Sequence, residues 1–347
     1  MKMMVTGGAG FIGSNLCEEL LKRDFQVVVV DNFDEFYSYK TKVRNVYESF
    51  GKLDEYRDIL RENLTKEEMI DRCSKRFLSD KYKLYYIDIR AKKIEEIFKN
   101  EGIDFVINLA GLAGVRPSIE RPLDYEDVNI KGYMNILEMC KKYEVKKFIQ
   151  ASSSSVYGNN KKVPFKETDI VDFPISPYAG TKKSGEIIGY TYHSLYGIDM
   201  FQLRFFTVFG ERQREDLAIH KFVKAIKNGS ELTMYGDGTT ARDYTYVGDI
   251  VQGILKSIDY LMKNKGVYEI LNLGNSHTVS LKEMIETIEK VIGKRANILE
   301  MPRQSGDVDI TFADISKAKE IRVWAKGNFW RGNQKICKMV RGNVKWK

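Results

Sequence analysis

Three glycines near the amino terminus constrain the fold of this chain more than any other feature. Gly7, Gly10 and Gly13 lie between a short apolar run at 3–5 and a segment of helical composition at 14–23. Glycines at this spacing permit a tight strand-to-helix turn, a close approach of the backbone to a pyrophosphate, and close packing of the helix on the strand. The chain is therefore expected to begin with a nucleotide-binding β–α unit.

An acidic residue follows at the position that such a unit requires. Asp31 ends a β-branched strand at 27–30 and lies 18 residues after Gly13. A carboxylate there accepts both hydroxyls of a ribose and repels a 2′-phosphate, so NAD is favoured over NADP. Asp88 and 109–111 follow later strands and are expected to line the same cofactor, although Asp88 has an alternative role as a helix cap.

Strands and helices alternate through the first two hundred residues. The predicted strands, in addition to the first two, are 84–87, 105–109, 147–151 and 200–203, and the predicted helices are 91–99, 124–142 and 178–196. This alternation is typical of an α/β fold with right-handed crossovers. We expect a Rossmann-type doubly wound parallel sheet, with an NAD-binding domain at 1–204.

The pattern changes after residue 205. The predicted helices are 215–228, 249–262 and 280–292, and the predicted short strands are 232–235, 268–272 and 297–300. These elements indicate a smaller C-terminal α/β substrate domain at 205–320. Ligands of open α/β sheets bind where the strand ends meet such a crevice.

One segment interrupts the alternation. About fifty residues separate Asp31 from the strand at 84–87, and charged helices fit near 40–50, 54–62 and 65–78. The length of this connection favours a solvated insertion at about 37–82. A lid or a subunit contact is the alternative.

A tyrosine and a lysine form the candidate catalytic pair. Tyr178 and Lys182 are four residues apart and project from one helical face, although both could simply decorate a surface. A serine cluster at 152–155 follows a buried strand next to the nucleotide crevice. Hydride removal from a carbinol needs a base for the hydroxyl proton, and a nearby ammonium brings a tyrosine phenol with a pKa near about 10 toward that role.

Several motifs together resemble one enzyme superfamily. The segments 6–13, 31–33, 88–89 and 152–158 and the Tyr178–Lys182 pair resemble the extended short-chain dehydrogenase/reductase superfamily. Within it, 242–249 and 305–308 resemble the substrate half of nucleotide-sugar 4-epimerases. The resemblance covers residues 2 to about 320, apart from the insertion.

The resemblance implies a mechanism and a set of site residues. NAD would oxidise the 4-hydroxyl of a UDP-sugar, and hydride would return to the other face of the 4-keto sugar. Tyr178 would be the base, Lys182 would hold the nicotinamide ribose, and Ser153 would bridge the substrate oxygen. The implied cofactor contacts are Gly7, Gly10, Phe11, Ile12, Gly13, Asp31, Asn32, Asp88, Ile89, Leu109, Ala110, Gly111, Asn129, Tyr178, Lys182 and Phe206. The implied substrate contacts are Ser154, Thr207, Arg214, Arg242 and Asp307, with Arg242 on a phosphate.

Further motifs bear on the sugar. The segments 108–116 and 206–214 resemble the UDP-glucuronate 4-epimerase branch, with Thr207 and Gln304 where glucose epimerases have asparagine and arginine. Arg214 would face a uronate carboxylate, with a surface or phosphate contact as the alternative. Gly111 and Glu215 depart from that branch, which usually has alanine and proline there.

The reaction itself has alternatives. No Asp or Glu occurs in 153–158, which favours simple epimerisation over dehydration or decarboxylation. UDP-glucuronate is the expected substrate, with UDP-glucose or UDP-N-acetylglucosamine as alternatives. A non-catalytic NAD-binding regulator is a further alternative, which the complete set of Ser153, Tyr178 and Lys182 disfavours.

Composition excludes several other classes of protein. The chain of 347 residues has 43% hydrophobic residues, enough for a buried core and against disorder. It contains no run of 18 apolar residues and no signal-peptide pattern, so we expect a cytoplasmic protein with no membrane partner. Its four cysteines lack CxxC spacing and its three histidines are scattered, so no metal site is expected. The resemblance also implies a homodimer through helices 124–142 and 178–196, and a role in polysaccharide biosynthesis.

The carboxyl-terminal tail does not fit the family pattern. Residues 321–347 hold eight of the 56 basic residues and none of the 48 acidic ones, so the net charge of +8 lies in the tail and no nucleic-acid partner is expected. Compatible codons from Arg322 onward, shifted by one base, read Gly-Tyr-Gly-Gln-Lys and stop at Arg341. We hypothesise that this atypical basic tail is a frameshift product, natural or from sequencing, which resequencing of the gene tests. A basic arm for anionic surfaces is the alternative, and its binding would weaken steeply with salt.

Overall fold

The computed structural model describes residues 1–302 and 308–324, which form a large parallel sheet and two small sheets. The strands are β1 (Lys2–Thr6), β2 (Gln26–Asp31), β3 (Tyr82–Tyr86), β4 (Phe105–Asn108), β5 (Lys147–Ser153), β6 (Asp199–Phe205), β7 (Thr207–Phe209), β8 (Glu231–Tyr235), β9 (Ala241–Tyr246), β10 (Tyr268–Leu273), β11 (Thr278–Ser280) and β12 (Asn297–Met301). The helices are α1 (Phe11–Lys22), α2 (Tyr39–Ser49), α3 (Leu53–Arg61), α4 (Lys66–Phe77), α5 (Ile94–Glu101), α6 (Val115–Glu120), α7 (Pro122–Glu126), α8 (Tyr133–Lys142), α9 (Pro177–Tyr196), α10 (Ala218–Asn228), α11 (Val247–Lys263), α12 (Leu281–Ile292) and α13 (Ser316–Glu320).

The large sheet has the order β3-β2-β1-β4-β5-β6-β10, and all its strands are parallel. From β1 the chain winds outward to β3 on one side, and from β4 it winds outward to β10 on the other. Connections diverge where the winding reverses, and a crevice opens there at the carboxyl ends of the strands. The predicted Rossmann-type fold is confirmed.

The composition of β2 explains why this segment forms a strand inside the sheet. Val27, Val28, Val29 and Val30 of β2 are all buried. A strand covered on both faces favours such a continuous β-branched run. One layer of helices, which includes α1 and α11, covers one face of the sheet, and another layer, which includes α5, α8 and α9, covers the other.

The smaller half contains two short sheets, β11-β9-β7 and β12-β8, with α10 and α12 packed together beside them. One sequence-based assignment to this half was wrong. The predicted strand at 268–272 is β10, which pairs with β6 in the large sheet. Its buried end, Leu271 to Leu273, is covered at the edge of that sheet. The chain after residue 205 therefore contributes to both halves, and the division at 204 stays a prediction.

The predicted helix at 124–142 is interrupted. It consists of α7, a π-helical turn at Asp127–Gly132, and α8. A π-helical turn inserts extra backbone into a helix and is frequent at functional sites. Asn129 lies on this turn and is buried.

The inserted helices α2, α3 and α4 lie close to their predicted bounds, and their inner faces are packed. Val43, Val46 and Tyr47 of α2 belong to the same buried cluster as the core strands. The ring centroid of Tyr47 is 4.8 Å from that of Phe77 and 6.0 Å from that of Tyr56. The insertion is therefore solvated only on its outer side.

The tail begins inside the described residues. Val323 and Trp324 are buried, and Trp324 packs beside Gly253 of α11. The rest of the predicted tail, together with 303–307, lies outside the described residues. Among the helices that are described, none combines the length and the apolar character needed to cross a bilayer.

Replacing Tyr47 tests whether the insertion belongs to the core. We expect Tyr47→Ala to lower the free energy of unfolding by about 3–5 kcal/mol, as for other buried aromatic residues. Leu60→Ala on α3 is the matched control, because Leu60 is exposed and should change stability by less than about 0.5 kcal/mol. Urea unfolding of both variants measures the difference. An equal loss of unfolding free energy in the two variants would contradict the assignment of Tyr47 to the core.

Candidate active site

Two pockets meet at the carboxyl edge of the large sheet. The first runs along the ends of β1, β2, β4 and β5, and the second lies between the serine turn after β5 and the small sheets. Five residues line both pockets: Ser153, Tyr178, Phe205, Phe206 and Thr207. A molecule in the first pocket therefore meets a molecule in the second beside Ser153 and Tyr178.

The glycine turn forms one end of the first pocket. Gly7 has φ +67°, and the Gly10 backbone N–H donates to the Gly7 carbonyl at 3.0 Å. A Cβ atom on Gly13 would lie 2.2 Å from the Gly7 oxygen, so no larger residue fits that position. Phe11 and Ile12, in the first turn of α1, line the pocket. This cradle of close backbone and an open helix amino end fits a pyrophosphate.

Asp31 lies at the end of β2, where its carboxylate is held from three sides. The backbone N–H groups of Ala9 and Phe33 donate to it at 3.1 and 2.8 Å. The Lys42 ammonium of α2 is 3.5 Å from Oδ1 and is itself almost fully buried. Both Asp31 and Lys42 line the pocket, so a ribose there meets a carboxylate and an ammonium together.

Asp88, Asn32 and Ile89 form the next part of the wall. Partial burial raises the pKa of Asp88, but hydrogen bonds from Arg90 and Asn32 outweigh this effect and lower it to about 2. The Asn32 side chain donates to Asp88 at 2.8 Å. Asp88 therefore carries its negative charge at neutral pH and orients Asn32 at the edge of the pocket.

Leu109, Ala110 and Gly111 line the middle of the pocket, whereas Asn129 lies behind them. The Asn129 side chain accepts from the Leu112 backbone N–H at 2.8 Å and donates to the Leu112 carbonyl at 3.0 Å. A Cβ atom on Gly111 would lie 2.9 Å from Asn129 Oδ1, which accounts for the glycine. Asn129 thus acts on the pocket by fixing its wall.

Two of the three candidate catalytic side chains, Ser153 and Tyr178, lie at the junction of the pockets, and Lys182 lines the first pocket. Tyr178 and Lys182 lie one turn apart on α9, and Lys182 Nζ is 5.9 Å from the centre of the Tyr178 ring. The Lys182 ammonium donates to the Ala151 carbonyl of β5 at 2.8 Å. Ser153 Oγ accepts from the Ser155 backbone N–H at 3.2 Å and from the Ser155 hydroxyl at 2.9 Å.

Burial moves the pKa values of the tyrosine and the lysine in opposite directions. It raises the pKa of Tyr178, against the effects of a hydrogen bond with Ser153 and the charge of Arg214. Burial also lowers the pKa of Lys182 to about 8. These shifts leave the lysine as the more acidic of the two groups, and the tyrosine depends on nearby positive charge to reach the phenolate form.

The second pocket contains three of the predicted substrate contacts. Ser154, Thr207 and Arg242 line it. Arg242 Nη1 donates to the carbonyls of Ala241 and Asp309 at 2.9 and 3.3 Å, so its guanidinium is anchored at the wall. Asp307 and Gln304 lie outside the described residues, and their predicted roles stay predictions.

Arg214 lines the first pocket, not the second. Its Nε and Nη2 donate to the two carboxylate oxygens of Asp216 at 2.9 and 2.5 Å. Its guanidinium carbon lies 4.9 Å from the Phe36 ring centre and 5.6 Å from that of Tyr37. Arg214 therefore covers the cofactor side of the junction, close enough to Tyr178 to affect its pKa, so the carboxylate contact and the phosphate contact both stay open.

The sequence-based prediction did not include Phe36, Tyr37 and Lys42, which also line the first pocket. Tyr37 and Lys42 belong to the segment that was predicted to be a solvated insertion, and Phe36 directly precedes it. The available signal was the apolar spacing of Val43, Val46 and Tyr47, which marks one face of α2 as buried.

In the described part of the chain, no group of three or more His, Cys, Asp and Glu side chains is arranged to hold a metal ion.

Comparisons with known proteins extend over nearly the whole chain. The sequence matches the model of the NAD dependent epimerase/dehydratase family at residues 3–274. A UDP-glucuronate 4-epimerase of Thermodesulfobacterium geofontis is 40% identical over 92% of this chain and 90% of its own length. UDP-glucuronic acid 4-epimerase of Bacillus cereus, solved with UDP-glucuronic acid and NAD, is 32% identical with a TM-score of 0.84, covering 99% of this chain and all of its own. UDP-glucose 4-epimerase of Thermotoga maritima, solved with UDP-glucose, is 29% identical with a TM-score of 0.82 and the same coverage.

The Asp31–Lys42 pair generates a prediction about cofactor choice. Asp31→Asn removes the charge that repels a 2′-phosphate and releases Lys42 to pair with it. We expect the affinity for NADP to rise by about tenfold or more, because a hydrogen bond to a charged group contributes about 1.5–3 kcal/mol. Calorimetric titration of cofactor-free protein with NAD and NADP measures the change.

The double variant D31N/K42M is the matched control. It lacks the ammonium as well, so the gain in NADP affinity should disappear while the glycine cradle stays intact. An unchanged NADP affinity in D31N, or an equal gain in the double variant, would show that Lys42 does not face the ribose.

Proposed function

We propose that this chain, which belongs to the NAD dependent epimerase/dehydratase family, is an NAD-dependent UDP-sugar 4-epimerase that interconverts UDP-glucuronate and UDP-galacturonate. The observation that carries this proposal is the junction at which Ser153 and Tyr178 line both pockets. A dinucleotide in the first pocket and a nucleotide sugar in the second would meet at these two side chains.

The residues at the junction divide the chemistry between them. When bound, NAD supplies the acceptor for the hydride of C4 and the donor that returns it. Tyr178 takes the proton of the 4-hydroxyl as the C4–H bond breaks, and gives it back when the 4-keto sugar is reduced. Ser153 holds the sugar oxygen at that position by a hydrogen bond. Lys182 keeps a positive charge near the phenolate, which stabilises the deprotonated form.

Epimerisation also requires the 4-keto sugar to present its other face. The diphosphate would remain anchored, with Arg242 as its ligand, while the sugar ring turns. Arg242 suits this role because its guanidinium is already fixed by two backbone carbonyls at the wall. The serine turn at 153–158 carries no carboxylate that would divert the ketone toward elimination.

Two observations support the uronate over a neutral sugar. Thr207, which stands where glucose epimerases have asparagine, lines both pockets. Relatives named UDP-glucuronate 4-epimerase match this chain at 40% and 32% identity. UDP-glucose remains a second candidate, because the UDP-glucose 4-epimerase of Thermotoga maritima has a TM-score of 0.82 to this chain.

A purified sample with bound NAD tests the function directly. We expect conversion of UDP-glucuronate to UDP-galacturonate at a kcat/KM at least about tenfold above that for UDP-glucose or UDP-N-acetylglucosamine, because a lost charged contact costs about 1.4 kcal/mol or more. Anion-exchange chromatography separates the products. Equal or better turnover of a neutral UDP-sugar would reverse the assignment of the substrate.

Tyr178→Phe tests the assigned base. The variant loses only the phenolic oxygen, so we expect conversion to fall by about 100-fold or more while NAD remains bound. Bound NAD is measured by its absorbance after release from the denatured protein. Near-normal turnover with a full complement of NAD would refute the role of Tyr178.

Arg214→Met tests the proposed contact with the uronate. Substrate binding would require Arg214 to exchange Asp216 for the sugar carboxylate, so we expect KM for UDP-glucuronate to rise by about tenfold. KM for UDP-glucose serves as the internal control and should not change. If both substrates lose equally and the NAD content falls, Arg214 serves the cofactor instead.

The assembly and setting are part of the same proposal. We propose a homodimer through α8 and α9, because Met134, Ile187, Tyr190 and Leu195 are exposed on them. A monomer in sedimentation equilibrium would contradict this interface.

We further propose a cytoplasmic enzyme that supplies polysaccharide biosynthesis with an activated uronic acid. The frameshift origin of the tail remains a prediction for resequencing.

A further inference from the structure

A buried ion pair lies directly behind the catalytic side chains. Glu186 and Arg204 are only 2% and 1% exposed. The contact has two parallel hydrogen bonds, from Arg204 Nε to Glu186 Oε1 at 2.8 Å and from Nη2 to Oε2 at 2.9 Å. A paired arrangement of this kind restricts the relative orientation of the two side chains as well as their distance.

The pair joins the elements that carry the active site. Glu186 follows Tyr178 and Lys182 at intervals of four residues on α9, so the three side chains share one face of that helix. Arg204 is on β6, next to Phe205 at the junction of the pockets. The Ser152 hydroxyl of β5 donates to Glu186 Oε1 at 2.7 Å, and Ser152 adjoins Ser153.

The network continues into two further segments. Arg204 Nη1 donates to the Tyr157 hydroxyl at 2.9 Å, and that hydroxyl donates to Asn272 Oδ1 at 2.7 Å. Tyr157 belongs to the turn that follows Ser153, and Asn272 to β10. Each nitrogen of the Arg204 guanidinium therefore has a partner, and the serine turn is linked to the same group as α9.

Stability alone does not explain a buried pair at this position. Removing two charges from water costs several kcal/mol per ion, and well-packed apolar residues are often as stabilising as the pair they replace. The pair does restrict how α9 can rotate or slide on β5 and β6. A displacement of about 1 Å at a reacting group can cost about 100-fold in rate.

We propose that Glu186 and Arg204 are positioning residues. Their ion pair, together with the hydrogen bond from Ser152 to Glu186, sets the placement of Tyr178 and Lys182 relative to Ser153. This inference rests on the proposed epimerase function. The proposed reaction requires the Tyr178 phenol of α9 and the Ser153 hydroxyl of β5 to contact the same sugar oxygen, so the position of α9 relative to β5 matters.

The double variant E186M/R204M is the main test, because it removes both charges together and leaves neither one buried alone. We expect the variant to fold and to retain NAD, and kcat to fall by about 100-fold. KM should change by less than about threefold, since neither residue lines the substrate pocket. A kcat within about twofold of wild type would overturn the proposal.

The pH dependence supplies a readout that a purely structural role would not move. If Lys182 shifts away from Tyr178, the phenolate loses a stabilising charge and the pKa of Tyr178 rises. The acidic limb of the kcat profile should then move to higher pH. An unchanged limb in a slower enzyme would also overturn the proposal.

A remote buried carboxylate offers the matched control. Glu101 is 6% exposed, and its carboxylate contacts Lys2 at 3.0 Å and Lys83 at 2.9 Å, at the amino end of the large sheet. Glu101→Met should lower the melting temperature and leave kcat and its pH profile unchanged. If it slows turnover as much as E186M/R204M at an equal loss of stability, general destabilisation explains both and the proposal fails.

Two further measurements keep the test decisive. Ser152→Ala removes only the link from the pair to β5, so it should fold even if the double variant does not, and we expect kcat to fall by about threefold to tenfold, equivalent to one lost hydrogen bond. A wild-type rate would count against the proposal.

Ultraviolet titration of the phenolate, taken as the difference between each protein and its Tyr178→Phe form, needs no sugar substrate. It therefore tests the placement of Lys182 separately from the proposed epimerase activity.

Discussion

The cleft of this protein depends on the pairing of β1 with β2 on one side and with β4 on the other. Because the chain winds outward in both directions from this point, the connections after β1 and β4 diverge and leave a crevice between them. Parallel pairing brings the carboxyl ends of all the strands to one edge. The glycine turn after β1, Asp31 at the end of β2 and Ser153 at the end of β5 therefore lie along one groove, although they are far apart in the chain.

Charged side chains lie along the length of this groove. Asp31 and Asp88 lie at one end of it, where Lys42 and Arg90 balance their charges. Lys182 and Arg214 line the same pocket as Tyr178. Burial strengthens these interactions because little water screens them. The same burial lowers the pKa of Lys182 and raises that of Tyr178, so the phenol depends on nearby positive charge to lose its proton.

The elements that the sequence misassigned share a physical cause. The strand at 268–272 has the same local pattern whether it joins a small sheet or the edge of a large one, and only its pairing with β6 decides between them. The insertion has a charged outer face, which suggested a solvated segment, yet Val46 and Tyr47 belong to the core. Local composition reports the exposed face of a helix, whereas the buried face depends on what lies beneath it.

Four features could be predicted from the amino-acid sequence: the glycine turn, the carboxylate of Asp31, the one-turn spacing of Tyr178 and Lys182, and the alternation that gives a parallel sheet. These features depend on neighbours within a few residues, so spacing and side-chain type are enough to predict them. Three other features depend on the packing of the folded chain: Lys42 faces Asp31, Arg214 lines the first pocket and pairs with Asp216, and Glu186 pairs with Arg204. Most of these contacts join different elements, and a contact between distant residues becomes visible only when the packing of helices on the sheet sets their distance and direction.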